Sequence, residues 1–332
     1  ADVREPPSVP ASCAFLRVDG LDAADVRRAA AGAEAAVLAL PGGVAHRALA
    51  NLVAARVPVA DVSFSPESPL VLDKAAQLAG IPVVVDVGVA PGLSHVLAAA
   101  LRRELGDLDR IEILVGGMPL APPPVFHHAV YFHARDLLDE YIRPARMRVA
   151  GADVAPDPLD AAPSVFIDEE VGVLEAFPSD GLRTLLTSWP EVRDMVELTL
   201  RLPGHLETMR ALKALGLLRG DEATDALARA LARGFAADPH PDRLLMEVRG
   251  ARGDRTGAYR MHALRRGGES AMTRSTGLTT AAVAWLLARR GWTRPGVHAP
   301  EAIGEDAVAT EALLADLAAR GLPVTRGSRM AP

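Results

Sequence analysis

The chain has 332 residues, 49% of them hydrophobic and 23% charged, with a formal net charge of -6. That length and apolar content predict roughly two domains, while the acidic balance supplies no basic field for nucleic acid and no apolar run reaches the roughly 18 residues of a membrane span. The single cysteine, Cys13, excludes an internal disulfide framework or a cysteine-rich metal site among these residues. The first residues lack the basic-then-apolar order of a signal peptide, so a cytoplasmic location is expected.

In chain order, Phe15 to Asp19 reads as a short strand, Leu21 to about Ala30 as a polar helix and Ala35 to Leu40 as an apolar strand. After Pro41-Gly42-Gly43 come a helix near Ala45 to Ala55, a strand from Val59 to Phe64, a helix from Leu70 to Ala79 and a buried-type strand from Ile81 to Asp86. Alternation of this kind predicts an α/β fold with a doubly wound, Rossmann-type parallel sheet. From Ile111 the pattern changes to runs of antiparallel type at Ile111 to Val115, Ala129 to Phe132 and Leu244 to Val248, which predicts a second, mixed α+β domain. Two helical stripes between Pro203 and Phe235, and closing helices near Thr279 to Arg290 and Ala307 to Arg320, complete the reading. The expected domains are 1–108, 109–275 and 276–330, the last returning to the first.

No two glycines are spaced two apart anywhere in the chain, so the GxGxxG turn that lets a backbone approach a pyrophosphate cannot be placed. The order of elements is that of a dinucleotide-binding fold entered at its second strand, with a βα unit of about 30 residues expected upstream. Asp2 then stands where an acidic residue closes the second strand and holds the ribose hydroxyls, which favours NAD; Arg4 is close enough to serve the 2′-phosphate of NADP. Its plain alternative is a solvated terminal carboxylate. On the same frame Asp19 could contact the adenosine, and Leu40, Pro41 and Gly42 line the cofactor or make a tight strand-to-helix connection.

Seven ordered segments carry a resemblance. Asp86-Val87-Gly88-Val89-Ala90-Pro91-Gly92 ends a strand and opens a helix, where bare N–H groups meet the ligand crevice. With it go Val115 to Pro119, Glu140-Tyr141 before Pro144, Ala176 to Leu182, Thr199 to His205, Met272 to Gly277, and Gly296-Val297 before Pro300-Glu301. Together they resemble the saccharopine dehydrogenase-like family, most closely its lysine 6-dehydrogenase group. One departure is Val87, which replaces the cysteine that follows the strand-end aspartate in the family.

The resemblance implies a nicotinamide-dependent oxidoreductase acting on a C–N bond of an amino acid, in the first place the side-chain amine of L-lysine, and a homodimer or larger assembly. Gly88 and Ala90 would then lie near the nicotinamide. Such chemistry needs a base for an ammonium and a clamp for a carboxylate. Arg201 is the candidate clamp, with a structural ion pair as the alternative. His205, at a helix start that favours its neutral form, is the candidate base, or it only hydrogen-bonds nearby backbone. Asp180 could receive the substrate ammonium or cap a helix, and Asp86 could orient a water or cap its own turn. Tyr141 and Arg274 are further substrate-binding candidates, against packing or surface pairing. His127 and His133 would share a strand face but stand roughly 20 Å apart, too far for one metal ion, so no metal site is expected. Two other functions are compatible with these residues: a saccharopine- or carboxyspermidine-type reductase running the same chemistry in reverse, and a non-catalytic homologue that binds a small molecule.

Overall fold

The computed structural model describes residues 1–6, 8–160, 164–237 and 241–327. In chain order the helices and strands begin α1 (Ala23–Ala30), β1 (Ala36–Leu38), α2 (Gly42–Ala54), β2 (Val59–Asp61), α3 (Asp73–Ala79), β3 (Pro82–Val84) and α4 (Leu93–Leu105). Then follow β4 (Arg110–Pro119), α5 (Ala134–Asp139), β5 (Met147–Val149), β6 (Ala152–Val154), β7 (Ser164–Asp168), β8 (Gly172–Pro178), α6 (Leu185–Ser188) and β9 (Asp194–Arg201). The chain continues through α7 (His205–Ala214), α8 (Glu222–Gly234), β10 (Asp242–Arg252), β11 (Arg255–Leu264) and α9 (Ala271–Ala288). It closes with β12 (Gly296–His298), α10 (Glu301–Gly304), α11 (Ala307–Ala319) and β13 (Val324–Gly327). These residues form two compact units, Ala1–Leu93 with Leu278–Asp316, and Ser94–Gly277 with Leu317–Pro332. Residues 328–330 of the expected closing segment lie outside the described residues.

The first unit holds a four-stranded sheet in the order β1-β2-β3-β12, every pairing parallel. Parallel strands are covered on both faces and read as continuous apolar runs, and Val59, Ala60, Val83 and Val84 are accordingly inaccessible to solvent. Leu38, Leu49, Val53, Val59, Val83, Val85 and Val297 share its core. The strand expected at Phe15 to Asp19 is reduced to one bridge, Arg17 with Asp2, which lies outside the four-stranded sheet. A run of apolar residues becomes a strand only where a neighbour supplies a ladder. Conversely β12 joins β3 from far along the chain, through a three-residue stretch whose pattern is too short to announce it.

In the second unit a nine-stranded mixed sheet runs β13-β11-β10-β4-β9-β5-β6, with β8 on β9 and β7 on β8. The pairing of β4 with β9 is parallel and the others are antiparallel. Strand β9 lies between β4 and β8, so its alternating side chains enter two different cores. Leu198 and Leu200 join Leu114, Met118, Leu174 and Leu245 on one face. On the other, Phe177 from β8 meets Leu137 and Leu138 of α5, Leu206 and Met209 of α7, and Leu231 of α8. The expected strand Ala129 to Phe132 makes only a bridge from Val130 to Ala236. Val130 and Phe132 instead pack against this helical core, where the same alternation serves packing without a ladder. Among the described residues no helix is long and apolar enough to cross a membrane.

The adjacent glycines at the start of α2 differ sharply in their surroundings. A Cβ on Gly42 would stand 2.2 Å from the Phe64 carbonyl oxygen, whereas one on Gly43 would meet nothing within 4 Å. Gly42 is therefore required by the chain's own packing. Gly42→Ala should lower stability by at least about 2 kcal/mol, because backbone must move. Gly43→Ala should raise it by about 0.5 kcal/mol by removing a helical glycine. Urea unfolding of the two variants checks the contrast.

Candidate functional site

A buried charged cluster gathers at the carboxyl end of β9. Alternation along that strand turns Met195, Glu197, Thr199 and Arg201 to the same face, and all four are buried. Arg201 closes the strand. Glu140 and Tyr141 follow α5, and the turn Leu202-Pro203-Gly204 starts α7 directly at His205. Gly204 adopts a φ of 92°, in the region that favours glycine, and a Cβ there would press to 3.3 Å against the His127 ring. The Glu175 carboxylate of β8 accepts the N–H groups of Gly204 and Leu206, at 3.2 and 3.4 Å, and so caps α7.

Donor and acceptor roles in the cluster follow from one fixed point. His205 Nδ1 lies 2.7 Å from the Phe126 carbonyl oxygen, which only accepts, so Nδ1 carries the proton. Nε2 of the neutral ring is then an acceptor, and the Tyr141 hydroxyl donates to it at 2.8 Å. The Tyr141 oxygen in turn accepts from Arg201 Nε at 2.9 Å. Arg201 also donates from Nη2 to Glu140 at 2.6 Å and from Nη1 to the Leu200 carbonyl at 3.0 Å. The Tyr141 ring stacks on Phe177 with centroids 5.0 Å apart.

Burial and then the Arg201 charge press the His205 pKa down to about 3, so the ring is neutral across the physiological range. Burial likewise pushes the Tyr141 hydroxyl well above its ordinary value and keeps it a donor. Beside His205, with ring centroids 5.1 Å apart, lies His128, whose two ring nitrogens have no hydrogen-bond partner among the described residues. Burial, Arg201 and His205 hold its pKa well below the usual value.

Of the sequence candidates, the structure thus brings together Arg201, Tyr141 and His205. Arg201 is 3% exposed and its charge is already met by Glu140, so the open carboxylate clamp expected from sequence is instead a closed ion pair. Asp180 is engaged too. Arg146 grips it through Nε at 2.8 Å and Nη2 at 3.0 Å, in place of the expected free ammonium receptor. Arg274 donates to the carbonyls of Arg320 and Gly321 at 2.6 and 3.2 Å, just past the end of α11, which accounts for it structurally.

The remaining candidates belong to the first unit. Asp86 is buried after β3 with a φ of 55°, in a turn that Gly92 closes so tightly that a Cβ on it would fall 2.1 Å from the Gly88 oxygen. Gly88 and Ala90 line that turn. Leu40 donates its N–H to Ser63 Oγ, and Pro41 precedes α2. The side chains of Asp2 and Asp19 accept the N–H groups of Arg4 and Leu21, both at 2.9 Å, so each caps its own turn.

Glu175 and Glu197 were not singled out by sequence, and His128 was weighed there only with His127 and His133 as a metal ligand. Glu197 is 4% exposed; its Oε1 accepts from the Ser179 hydroxyl at 3.2 Å, while Oε2 has no partner among the described residues. Burial pushes its pKa up to about 8. The legible signal was an acidic residue at an inward position of a strand.

Two predictions follow from these couplings. Tyr141→Phe should leave Arg201 Nε and His205 Nε2 unpaired and cost about 2–4 kcal/mol in urea unfolding. Glu197 binds a proton in the fold that the unfolded chain releases above its ordinary value of 4.5, so its contribution to stability is lost as pH rises toward about 8. His128 and His205, depressed in the fold, act oppositely and only below about 6.5. Between pH 6.5 and 8 stability should therefore fall by up to about 1.4 kcal/mol per pH unit, and Glu197→Gln should flatten that slope.

The saccharopine dehydrogenase C-terminal domain family matches residues 88–322, a span containing the whole cluster. Apo saccharopine dehydrogenase (L-Glu forming) from Saccharomyces cerevisiae is similar in fold at 16% identity, with a TM-score of 0.77 over 94% of this chain and 88% of that one. DAP dehydrogenase of C. glutamicum in complex with DAP aligns over 90% and 85% of the two chains at 14% identity. Its TM-score of 0.44 is too low to define a shared fold. From the family match over most of its length, the chain belongs to the saccharopine dehydrogenase C-terminal domain family, and its fold is that of a saccharopine dehydrogenase.

Proposed function

We propose that this protein is a nicotinamide-dependent oxidoreductase acting on the C–N bond of an amino acid, and that its substrate is L-lysine, oxidised at the side-chain amine. The observation that carries the reading is the buried Arg201–Tyr141–His205 cluster, fixed in one tautomeric arrangement inside the family-matched span. Neutral His205 orients the Tyr141 hydroxyl, and Arg201 offers a guanidinium whose present counter-ion, Glu140, is a carboxylate. An amino-acid carboxylate has the same chemistry and would exchange with it. Glu140 is 27% exposed against 3% for Arg201, so the acid is the partner with room to leave.

The first unit is suited to a dinucleotide by its all-parallel sheet, whose strand ends lead into Leu40-Pro41-Gly42 and into the turn through Gly88 and Ala90. Of these, Gly42 serves through shape, since its missing side chain is taken up by the Phe64 carbonyl. Bound nicotinamide would supply the hydride acceptor for oxidation of the amine-bearing carbon. The reverse, reductive joining of an amine to an aldehyde, uses the same groups.

The test is to incubate the full-length gene product with L-lysine and NAD, then NADP, and to follow reduced-nicotinamide absorbance. Lysine-dependent reduction, with saccharopine inert, is the expected result. Turnover of saccharopine but not lysine would replace the substrate, and silence with every amino acid in a folded protein would overturn the reading.

A further inference from the structure

Four acids approach one face of β9, and three of them are satisfied. Glu140 pairs with Arg201 at 2.6 Å, Asp180 with Arg146 at 2.8 Å, and Glu175 accepts the N–H groups that open α7. Glu197 faces no cation. Its Oε1 receives the Ser179 hydroxyl, whose oxygen accepts from Thr199 Oγ1 at 2.8 Å, and Oε2 has no partner among the described residues. Burying such an oxygen unpaired is costly, and a glutamine or leucine would remove the cost.

Backbone has also been cleared for this carboxyl group. A Cβ on Gly181 would lie 1.7 to 2.3 Å from all three atoms of the carboxyl group, so a side chain there would push Glu197 out of its present position. The charged groups acting on Glu197 from neighbouring segments are Glu140, after α5, and Asp180, after β8, both negative. Glu140 and Asp180 are each balanced by an arginine, so it is the unpaired oxygen of Glu197 itself that favours a cationic guest. Among the described residues no group of three or more His, Cys, Asp or Glu could hold a metal ion, and a single open oxygen matches a single N–H of a primary ammonium.

We propose that Glu197 is the acid–base group for a bound primary amine, its open Oε2 taking the ammonium proton while Ser179 and Thr199 hold Oε1. The proposal rests on the amino-acid oxidoreductase reading for the fate of that amine. In the step, an N–H bond of R–NH3+ breaks, its electron pair stays on nitrogen and an O–H bond forms on Oε2. That lone pair forms C=N as the adjacent carbon gives its hydride to oxidised nicotinamide. Burial raises the free carboxyl group to about 8, so it is mostly protonated at neutral pH. An arriving R–NH3+ displaces that proton to solvent and leaves a carboxylate–ammonium pair. From this pair the N–H proton passes to Oε2 only as the hydride leaves, so an amine bound without nicotinamide stops at the pair.

Infrared difference spectroscopy tests this without turnover. At pH 7 the full-length protein should show the carbonyl band of a protonated carboxyl group that Glu197→Gln lacks, and saturating n-butylammonium should remove at least half of it. Persistence of the band with the amine present, or its absence beforehand, would overturn the proposal. Ser179→Ala removes a donor that favours the ionised form, so it should move the band's midpoint to higher pH; an unchanged midpoint would count against the hydrogen bond, and this variant serves should Glu197→Gln not fold. Amine-driven loss of the band without lysine oxidation would sustain the role of Glu197 and sink the lysine reading. Lysine oxidation with the band unmoved would do the reverse.

Discussion

The arrangement of the second unit depends on one buried guanidinium. Arg201 has entered a largely apolar core at the end of a central strand, a transfer that is costly unless charge and donors are met. Glu140 supplies the counter-charge, and Tyr141 and the Leu200 carbonyl take two further N–H groups. The same positive charge then acts on its surroundings. It opposes protonation of His205 and His128, leaving two neutral imidazoles in an interior where one cation is already accommodated. With Phe126 accepting from Nδ1, the direction of every hydrogen bond from Arg201 to the backbone is determined.

A shared strand face places this cluster beside a second polar set of opposite character. Glu197 and Thr199 precede Arg201 at the two-residue spacing of the strand, roughly 7 Å per step. Where Arg201 gathers partners until its charge is balanced, Glu197 meets a hydroxyl, a glycine and two other acids. One end of β9 thus holds a cation that cannot lose its proton and the middle holds an acid that binds one readily. Polar groups of this kind destabilise a fold unless their charges and hydrogen bonds are met.

Much of the first unit was legible in the sequence, because apolar runs such as Ile81 to Asp86 alternate with helical stripes and parallel sheets write that pattern directly. The strand at Gly296–His298 was not, since three residues carry no period and its partner β3 lies more than 200 positions away. Phe15 to Asp19 failed for the opposite reason, having the composition of a strand but only one bridging neighbour. In the second unit, Arg201, Tyr141 and His205 were found from the segments that contain them. Their mutual pairing was not, because 60 or more residues separate Arg201 from Tyr141 and His205 from Tyr141. Arg146 and Glu140 show the same limit: each neutralises a candidate that looked open in one dimension. Glu197 was hidden among the apolar neighbours that bury it.

The most direct measurement is the protonation and tautomeric state of His205 by nitrogen NMR on protein labelled in its histidines. A ring neutral and protonated at Nδ1 from pH 8 down to at least pH 5, with exchange of that proton slowed by the Phe126 carbonyl, is the predicted result. Titration of His205 with a midpoint near 6.5, or a proton resident on Nε2, would contradict the buried network on which the account is built.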